Sequence, residues 1–245
     1  MSYLPVLANE QPDLVYSGVL KGLTYGGSQF MAVAYDFDNG ESNAYVSSDG
    51  VAWGNIYTFN CYVENVVYAN GMFFTSKAHT GGGFYSSSNG GASWTLRNSG
   101  EFCYLIGSAN DYLYFYTGSG VFRTNDGVNY TAVTATTFNL ISVAFNGSDT
   151  YIAISDSSIE VSSNGTVFTD HTPTDVLGVY GVVWHEPRSK FVSMLYSEAA
   201  SGRRFAESSD GITWEYIGDT VYTGVGLRGL VSTPGCVIAC LYGLD

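Results

Sequence analysis

The segment Asp36-Phe-Asp-Asn-Gly-Glu41 spaces three carboxylates around a glycine turn, an arrangement able to wrap a hard cation in oxygen ligands. It begins like a calcium loop but lacks the glutamate that would close one at the twelfth position. Asp36, Asp38 and Glu41 are therefore candidate calcium ligands, weighed against an ordinary acidic surface loop. Other chemistry is sparse. His79, His171 and His185 are isolated and make no metal-ligand spacing, and neither a G-x-S-x-G elbow nor a phosphate loop occurs. Cys61 and Cys103 follow repeated aromatics by eight and nine residues and are expected as buried free thiols. Cys236 and Cys240 flank a short apolar run without zinc-type pairing. The expectation is a chain without catalysis and with calcium as its sole candidate cofactor.

The most informative pattern is a turn written five times. The copies are Ser47-Ser-Asp49-Gly-Val-Ala-Trp53, Ser87-Ser-Asn89-Gly-Gly-Ala-Ser-Trp94, Thr124-Asn-Asp126-Gly-Val-Asn-Tyr130, Ser162-Ser-Asn164-Gly-Thr-Val-Phe168 and Ser208-Ser-Asp210-Gly-Ile-Thr-Trp214. Asp-Gly and Asn-Gly suit a tight hairpin, since both residues tolerate positive φ and the side-chain oxygen can bind local N–H groups. The closing aromatic gives each hairpin a large group to bury. Upstream of every copy lie two shorter apolar runs split by a Gly- or Asn-rich turn, such as Val66-Val-Tyr and Met72-Phe-Phe. Each unit thus reads as four strands, and no segment has a helical period.

From Leu23 to Leu230 five steps average about 41 residues, a length suited to a four-stranded propeller blade. A sixth inner pair, Gly229-Leu-Val and Cys236 to Tyr242, stands near the end without an outer hairpin. An orphan pair, Tyr3 to Leu7 and Asp13 to Ser17, opens the chain. We read one domain over residues 1–245: an all-β, six-bladed β-propeller of four-stranded antiparallel blades, its last blade closed by N- and C-terminal strands. Closure hides strand edges that would otherwise template aggregation; five blades with loose ends is the competing count.

The five turns resemble the Asp-box, or bacterial neuraminidase repeat, of sialidase-type propellers: Ser or Thr, x, Asp, x, Gly, x, x, aromatic. Ser87 to Trp94 has the full spacing; the other four lose one residue, a short form resembling the repeats of phage virion-associated propeller proteins. The resemblance implies that the boxes join third to fourth strands and are structural. It also implies a ligand face on the opposite side, reached by the links from second to third strands and from fourth strands to the next blade. Tyr35, Tyr57, Phe59, Phe102, Tyr104, Tyr196, Arg203 and Tyr222 fall on those links or near them as candidate recognition residues. Sialidases also need three converging arginines. Here Arg97, Arg123 and Arg188 sit in or beside hairpins on the box side, leaving Arg203, Arg204 and Arg228 for the opposite face, so the catalytic pattern is absent.

Thirty glycines, twenty tyrosines and fourteen phenylalanines combine with only 13% charged residues, so the surface is built from small polar groups and phenols. A net charge of −13 with nine basic residues disfavours nucleic acid and anionic membrane as partners. No secretory signal and no apolar run of spanning length is visible. The composition and the short-form boxes together resemble those of phage-like virion proteins, and the resemblance implies a recognition or structural component attached to tail or capsid. Such a component would be made in a host cytoplasm and bind other virion proteins or a host-surface glycan or protein. A lectin-like sugar binder, with a cytoplasmic location, and a divergent glycoside hydrolase are the alternatives.

Overall fold

A computed structural model describes residues 19–243 apart from 78–81, 99, 136–138, 199–201, 219 and 234, and apart from the side chains of 225, 228, 242 and 243. The chain is an all-β propeller of six sheets. Blade one holds β1 (Val19–Gly26), β2 (Gln29–Asp36), β3 (Glu41–Ser47) and β4 (Gly54–Phe59). Blade two holds β5 (Val63–Ala69), β6 (Met72–Lys77), β7 (Phe84–Ser87) and β8 (Thr95–Arg97). Blade three holds β9 (Cys103–Ala109), β10 (Tyr112–Thr117), β11 (Gly120–Thr124) and β12 (Thr131–Val133). Blade four holds β13 (Ser142–Phe145), β14 (Tyr151–Ile154), β15 (Ile159–Ser162) and β16 (Thr169–Asp170). Blade five holds β17 (Val176–His185), β18 (Lys190–Ser197), β19 (Gly202–Ser208) and β20 (Glu215–Tyr216).

In each of these sheets the strands pair antiparallel in chain order. The sixth sheet shows β21 (Val225–Ser232) paired with β22 (Val237–Gly243). The N-terminal strands expected to complete it, Tyr3 to Leu7 and Asp13 to Ser17, lie outside the described residues. Among the described residues the helical content is one 3-10 turn, Glu186–Arg188.

Antiparallel order fixes the two rims. Turns between first and second strands share one rim with turns between third and fourth strands; the remaining links form the other. First strands pack in sequence around the axis, β1 on β5, β5 on β9, β9 on β13, β13 on β17 and β17 on β21. Asn65 Nδ2 donates to Leu105 O at 3.2 Å across one such pair, and Ser142 Oγ donates to Val182 O at 3.2 Å across another.

The core lies between blades. Met31, Val33 and Ala44 of blade one meet Val63, Val66 and Phe73 of blade two, and Phe74 and Phe84 of blade two meet Leu105, Leu113 and Phe115 of blade three. Tyr114 and Val121 then pack on Val143 and Tyr151, while Ile152 and Ile159 pack on Val182 and Phe191. Such repeated layers explain the near-continuous apolar runs of the second strands, which are covered on both sides.

The repeated turns differ from the two-residue hairpins expected of Asp-Gly: β3 ends at Ser47 and β4 begins at Gly54. Glycine alone takes positive φ there, 76° at Gly50, 72° at Gly127 and 77° at Gly211. The acidic or amide residue instead serves as an acceptor. Asp49 Oδ1 takes the Ser47 hydroxyl at 3.0 Å and the N–H groups of Val51 and Ala52 at 2.8 and 2.9 Å, while Gly50 N–H donates to Ser47 Oγ at 2.8 Å. Asp126 and Asp210 repeat this with Thr124 and Ser208, and Asn164 repeats it with Ser162. The longer copy has Asn89 bound by Ser87 Oγ at 2.9 Å and Ser93 N–H at 3.0 Å. Trp53, Trp94 and Trp214 each close the turn by donating their indole N–H to a glycine carbonyl at 3.1, 2.9 and 3.0 Å. Tyr130 does so with its hydroxyl at 3.0 Å, and Phe168, having no donor, is buried instead.

The turns of blades two to five also clasp the blade before them. Gln29 Nε2 donates to Gly90 O at 2.9 Å, Asn70 Nδ2 to Asn125 O at 2.9 Å, and Tyr114 OH to Gly165 O at 2.9 Å. The turn glycines press on second-strand side chains: a Cβ at Gly211 would meet Ile152 Cδ1 at 2.6 Å, and one at Gly127 would meet Phe74 Cε1 at 3.2 Å. The repeat is therefore a rivet between blades as well as a turn.

Candidate functional site

The rim opposite the turns carries the aromatic links. In blades one to three, side chains at the ends of strands assemble into an arc. Tyr35, at the end of β2, packs edge-on against Phe37 at 4.9 Å and against Tyr62 at 4.7 Å. The Lys21 ammonium lies 5.0 Å from the Tyr62 ring centroid, and the Tyr62 hydroxyl donates to Glu64 Oε1 at 2.8 Å. Tyr104, at the start of β9, stacks on Tyr116 at 5.3 Å, and Phe102 continues the row 6.5 Å from Tyr116.

Burial raises the Tyr62 phenol, with Lys21 pulling it down and Glu64 pushing it up. Burial likewise raises Tyr104, and the charge of Glu64 adds to it. Glu64 thus acts electrostatically on both halves of the arc. The rings stay accessible at its ends, where Phe37 is 62% and Phe102 48% exposed. Large exposed rings are costly to hydrate, and grouped with phenol hydroxyls, one carboxylate and one ammonium they form a surface that can stack and hydrogen-bond a ligand.

Blade five carries a second group. Arg203 lies with its guanidinium 4.6 Å from the Tyr180 ring and 5.9 Å from the Tyr196 ring, and its Nη2 donates to Tyr180 OH at 3.1 Å. Its backbone exchanges two hydrogen bonds with Tyr222, which packs edge-on against Phe205 at 5.6 Å. Arg204, on the opposite face of the strand, stacks on Tyr216 at 4.5 Å and donates to Gly218 O at 2.6 Å. The remaining described arginines are engaged elsewhere: Arg97 with Ser86 Oγ at 3.0 Å, Arg123 with Asn164 O at 3.0 Å and Arg188 with Glu207 at 2.9 Å.

Of the residues singled out from sequence, Tyr35, Phe102 and Tyr104 fall in the arc and Tyr196, Arg203 and Tyr222 come together in blade five. Phe59 requires correction. It is 2% exposed, wedged between Tyr57, Tyr85 and Trp94 at 4.9 to 5.3 Å, because the pleat of β4 turns it into the layer between blades. Tyr57 packs against that same layer. Lys21, Phe37, Tyr62, Glu64, Tyr116 and Tyr180 were not singled out. Phe37 and Tyr62 stand inside the links already suspected, but Tyr180 owes its position to a register shift between Val179 and Val182 that sequence does not announce.

The acidic loop is also corrected. Asp36 Oδ1 accepts the N–H of Asp38 at 2.9 Å, Oδ2 accepts Asn39 Nδ2 at 2.8 Å, and Gly40 N–H donates to Asp36 O at 2.9 Å. The Asn39 amide first, and then these N–H groups, hold the Asp36 carboxyl below its ordinary value. The loop is a tight turn that satisfies its own carboxylate. Among the described residues no group of three or more His, Cys, Asp or Glu side chains is placed to hold a metal, so Asp36, Asp38 and Glu41 do not form the expected cluster.

No family model and no curated protein matches the chain. Solved structures do. YCF48 from Cyanidioschyzon merolae aligns with TM-score 0.56 and 13% identity over 96% of this chain and 95% of that one. The likeness is one of fold. The GH74 xyloglucanase from Xanthomonas campestris gives TM-score 0.62 at 11% identity, with 89% of this chain and 42% of that chain covered. An inactive virginiamycin B lyase from Staphylococcus aureus gives 0.57 at 9% identity over 95% and 94% of the two chains. This chain spans well under half the length of the GH74 proteins it resembles. Proteins of such different kinds share the β-propeller, so function must be argued from the site.

Proposed function

We propose that the chain is a non-catalytic recognition propeller that reads a host-surface glycan through the rim opposite its repeated turns. The observation that carries this reading is the arc Phe37, Tyr35, Tyr62, Tyr104, Tyr116 and Phe102, with Lys21 and Glu64 at its centre. Rings offer faces to the C–H surfaces of a sugar, while phenols and the carboxylate bond its hydroxyls. The turns, which we assign to the Asp-box, brace the blades from the other rim and leave this one free to vary. Scarcity of lysine and arginine, the polar and phenolic surface, and the short form of the boxes support placement on a phage-like virion, on tail or capsid.

A glycan array tests the reading: signal on a restricted set of glycans is expected, and an empty array overturns it. Turnover of fluorogenic glycosides by the same sample would replace binding with hydrolysis. Neighbouring genes encoding portal, tail or capsid proteins are the expected setting.

A further inference from the structure

The turn rim holds a second feature that is independent of the arc. The far ends of the first strands of blades three to six, with the turns that follow them, line an open depression of about 570 Å³ whose walls include Ser108, Asn110, Phe145, Trp184, Glu186 and Ser232.

Its wall is organised around one indole. Trp184 is held edge-on by Phe191 at 4.7 Å, and its N–H donates to Glu186 Oε2 at 2.6 Å. This bond fixes the ring and, by drawing the N–H proton toward a carboxylate, leaves the π-face richer in electrons. Glu186 is exposed, while behind it His185 is buried with its Nδ1 at 3.0 Å from Ser232 Oγ. Asn110 Nδ2 donates to Tyr151 OH at 2.5 Å. Among the described residues no lysine or arginine belongs to the lining, and the nearest cation in sequence, Arg188, is paired with Glu207 at 2.9 Å. The depression therefore combines an electron-rich ring, a carboxylate without an ion pair among the described residues and a few hydroxyls in a chain of net charge −13.

We propose that this depression binds an organic ammonium ion, a primary alkylammonium or quaternary ammonium group, with Trp184 as the cation–π face and Glu186 as the counter-ion. A ring face beside a carboxylate suits a cation specifically, because both attractions depend on ligand charge and both grow as water leaves the pocket. A neutral sugar could use the ring and hydrogen-bond the carboxylate, but it would lack the net-charge attraction that distinguishes a cation.

Calorimetry with choline, its uncharged isostere 3,3-dimethyl-1-butanol, cadaverine and glucose tests this, at low and high salt. Choline and cadaverine are expected to bind with Kd on the order of 1 mM or tighter, the isostere at least about tenfold more weakly, and high salt should weaken only the cations. Glu186→Gln, an exposed substitution that leaves the fold intact, should reduce choline binding about tenfold, and Trp184→Phe should reduce it by less than Trp184→Ala. Equal binding of choline and the isostere, indifference to Glu186→Gln, or glucose binding in place of choline would each overturn the proposal. Because the variants lie on the turn rim, glycan binding by the arc should survive them all, which separates failure here from failure of the glycan reading.

Discussion

Replacing Gly211 with alanine measures how far the repeated turns hold the blades together. Gly211 has φ +77°, and a Cβ there would lie 2.6 Å from Ile152 Cδ1, 2.9 Å from Ile152 Cγ1 and 3.1 Å from Val161 Cγ2. Two costs follow. Left-handed backbone costs an L side chain about 1–2 kcal/mol, and forcing a methyl group against a fully buried isoleucine costs about 1–3 kcal/mol. The sum is about 3 kcal/mol, and a domain of this size loses about 2–4 °C of Tm per kcal/mol, so a drop of about 6–12 °C is expected. Gly147→Ala supplies the control: its φ is +82° with nothing within 4 Å of the new Cβ. It should lose only the backbone share, about 2–8 °C and in any case less than Gly211→Ala. Melting followed by circular dichroism reads both. Trimming the neighbour in a Gly211→Ala/Ile152→Val double variant should cost less than the two single changes added together. Equal losses at Gly211 and Gly147, or strict additivity in the double variant, would refute the claim that the turn rivets adjacent blades.

Acid should loosen the same turns. N–H groups from the turn backbone hold the Asp49 and Asp126 carboxyls below their ordinary value, and at Asp210 such bonds outweigh the opposing effect of burial. A depressed folded value means stability that is complete above the unfolded pKa near about 3.9 and is lost as pH falls through the folded values. Tm should fall steeply below about pH 4, and the triple change to asparagine, which the chain itself uses at 89 and 164, should flatten that fall; parallel curves would count against it. Trp94→Ala should cost about 2 kcal/mol, less than a fully buried tryptophan, because the half-buried ring loses its contact with Phe59 and its bond to Gly91 O; an unmoved unfolding midpoint would contradict this. Thiol labelling of the native protein should modify the exposed Cys236 and Cys240 quickly and spare Cys103, whose burial raises its thiol pKa; rapid Cys103 labelling would place it wrongly.

The repeat made the architecture legible because one set of residue types at nearly one spacing recurs in five of the six sheets, and the runs between copies are short, β-branched and aromatic, and split by turns. Register was less legible. Phe59 and Tyr57 read as link aromatics because sequence places them near a strand end, yet the pleat decides which side faces the next blade. The acidic loop failed for a related reason: Asp36 and Glu41 close a hairpin ladder, and the turn spends the carboxylate on its own N–H groups. The arc was half visible, since its rings come from three blades and adjacency around the axis is a property of the assembled ring. The depression on the turn rim carried no sequence signal at all, because Trp184 and Glu186 meet Asn110 and Ser232 only after four blades have closed on one axis.

The most direct test of the account compares glycan binding by the intact protein and by a Tyr62→Ala/Tyr104→Ala variant on the same array. Removing two rings, and the hydroxyl that donates to Glu64 at 2.8 Å, should reduce retention at least about tenfold while circular dichroism shows the variant still folded at the assay temperature. Undiminished binding by the folded variant would contradict the assignment of this rim as the recognition surface.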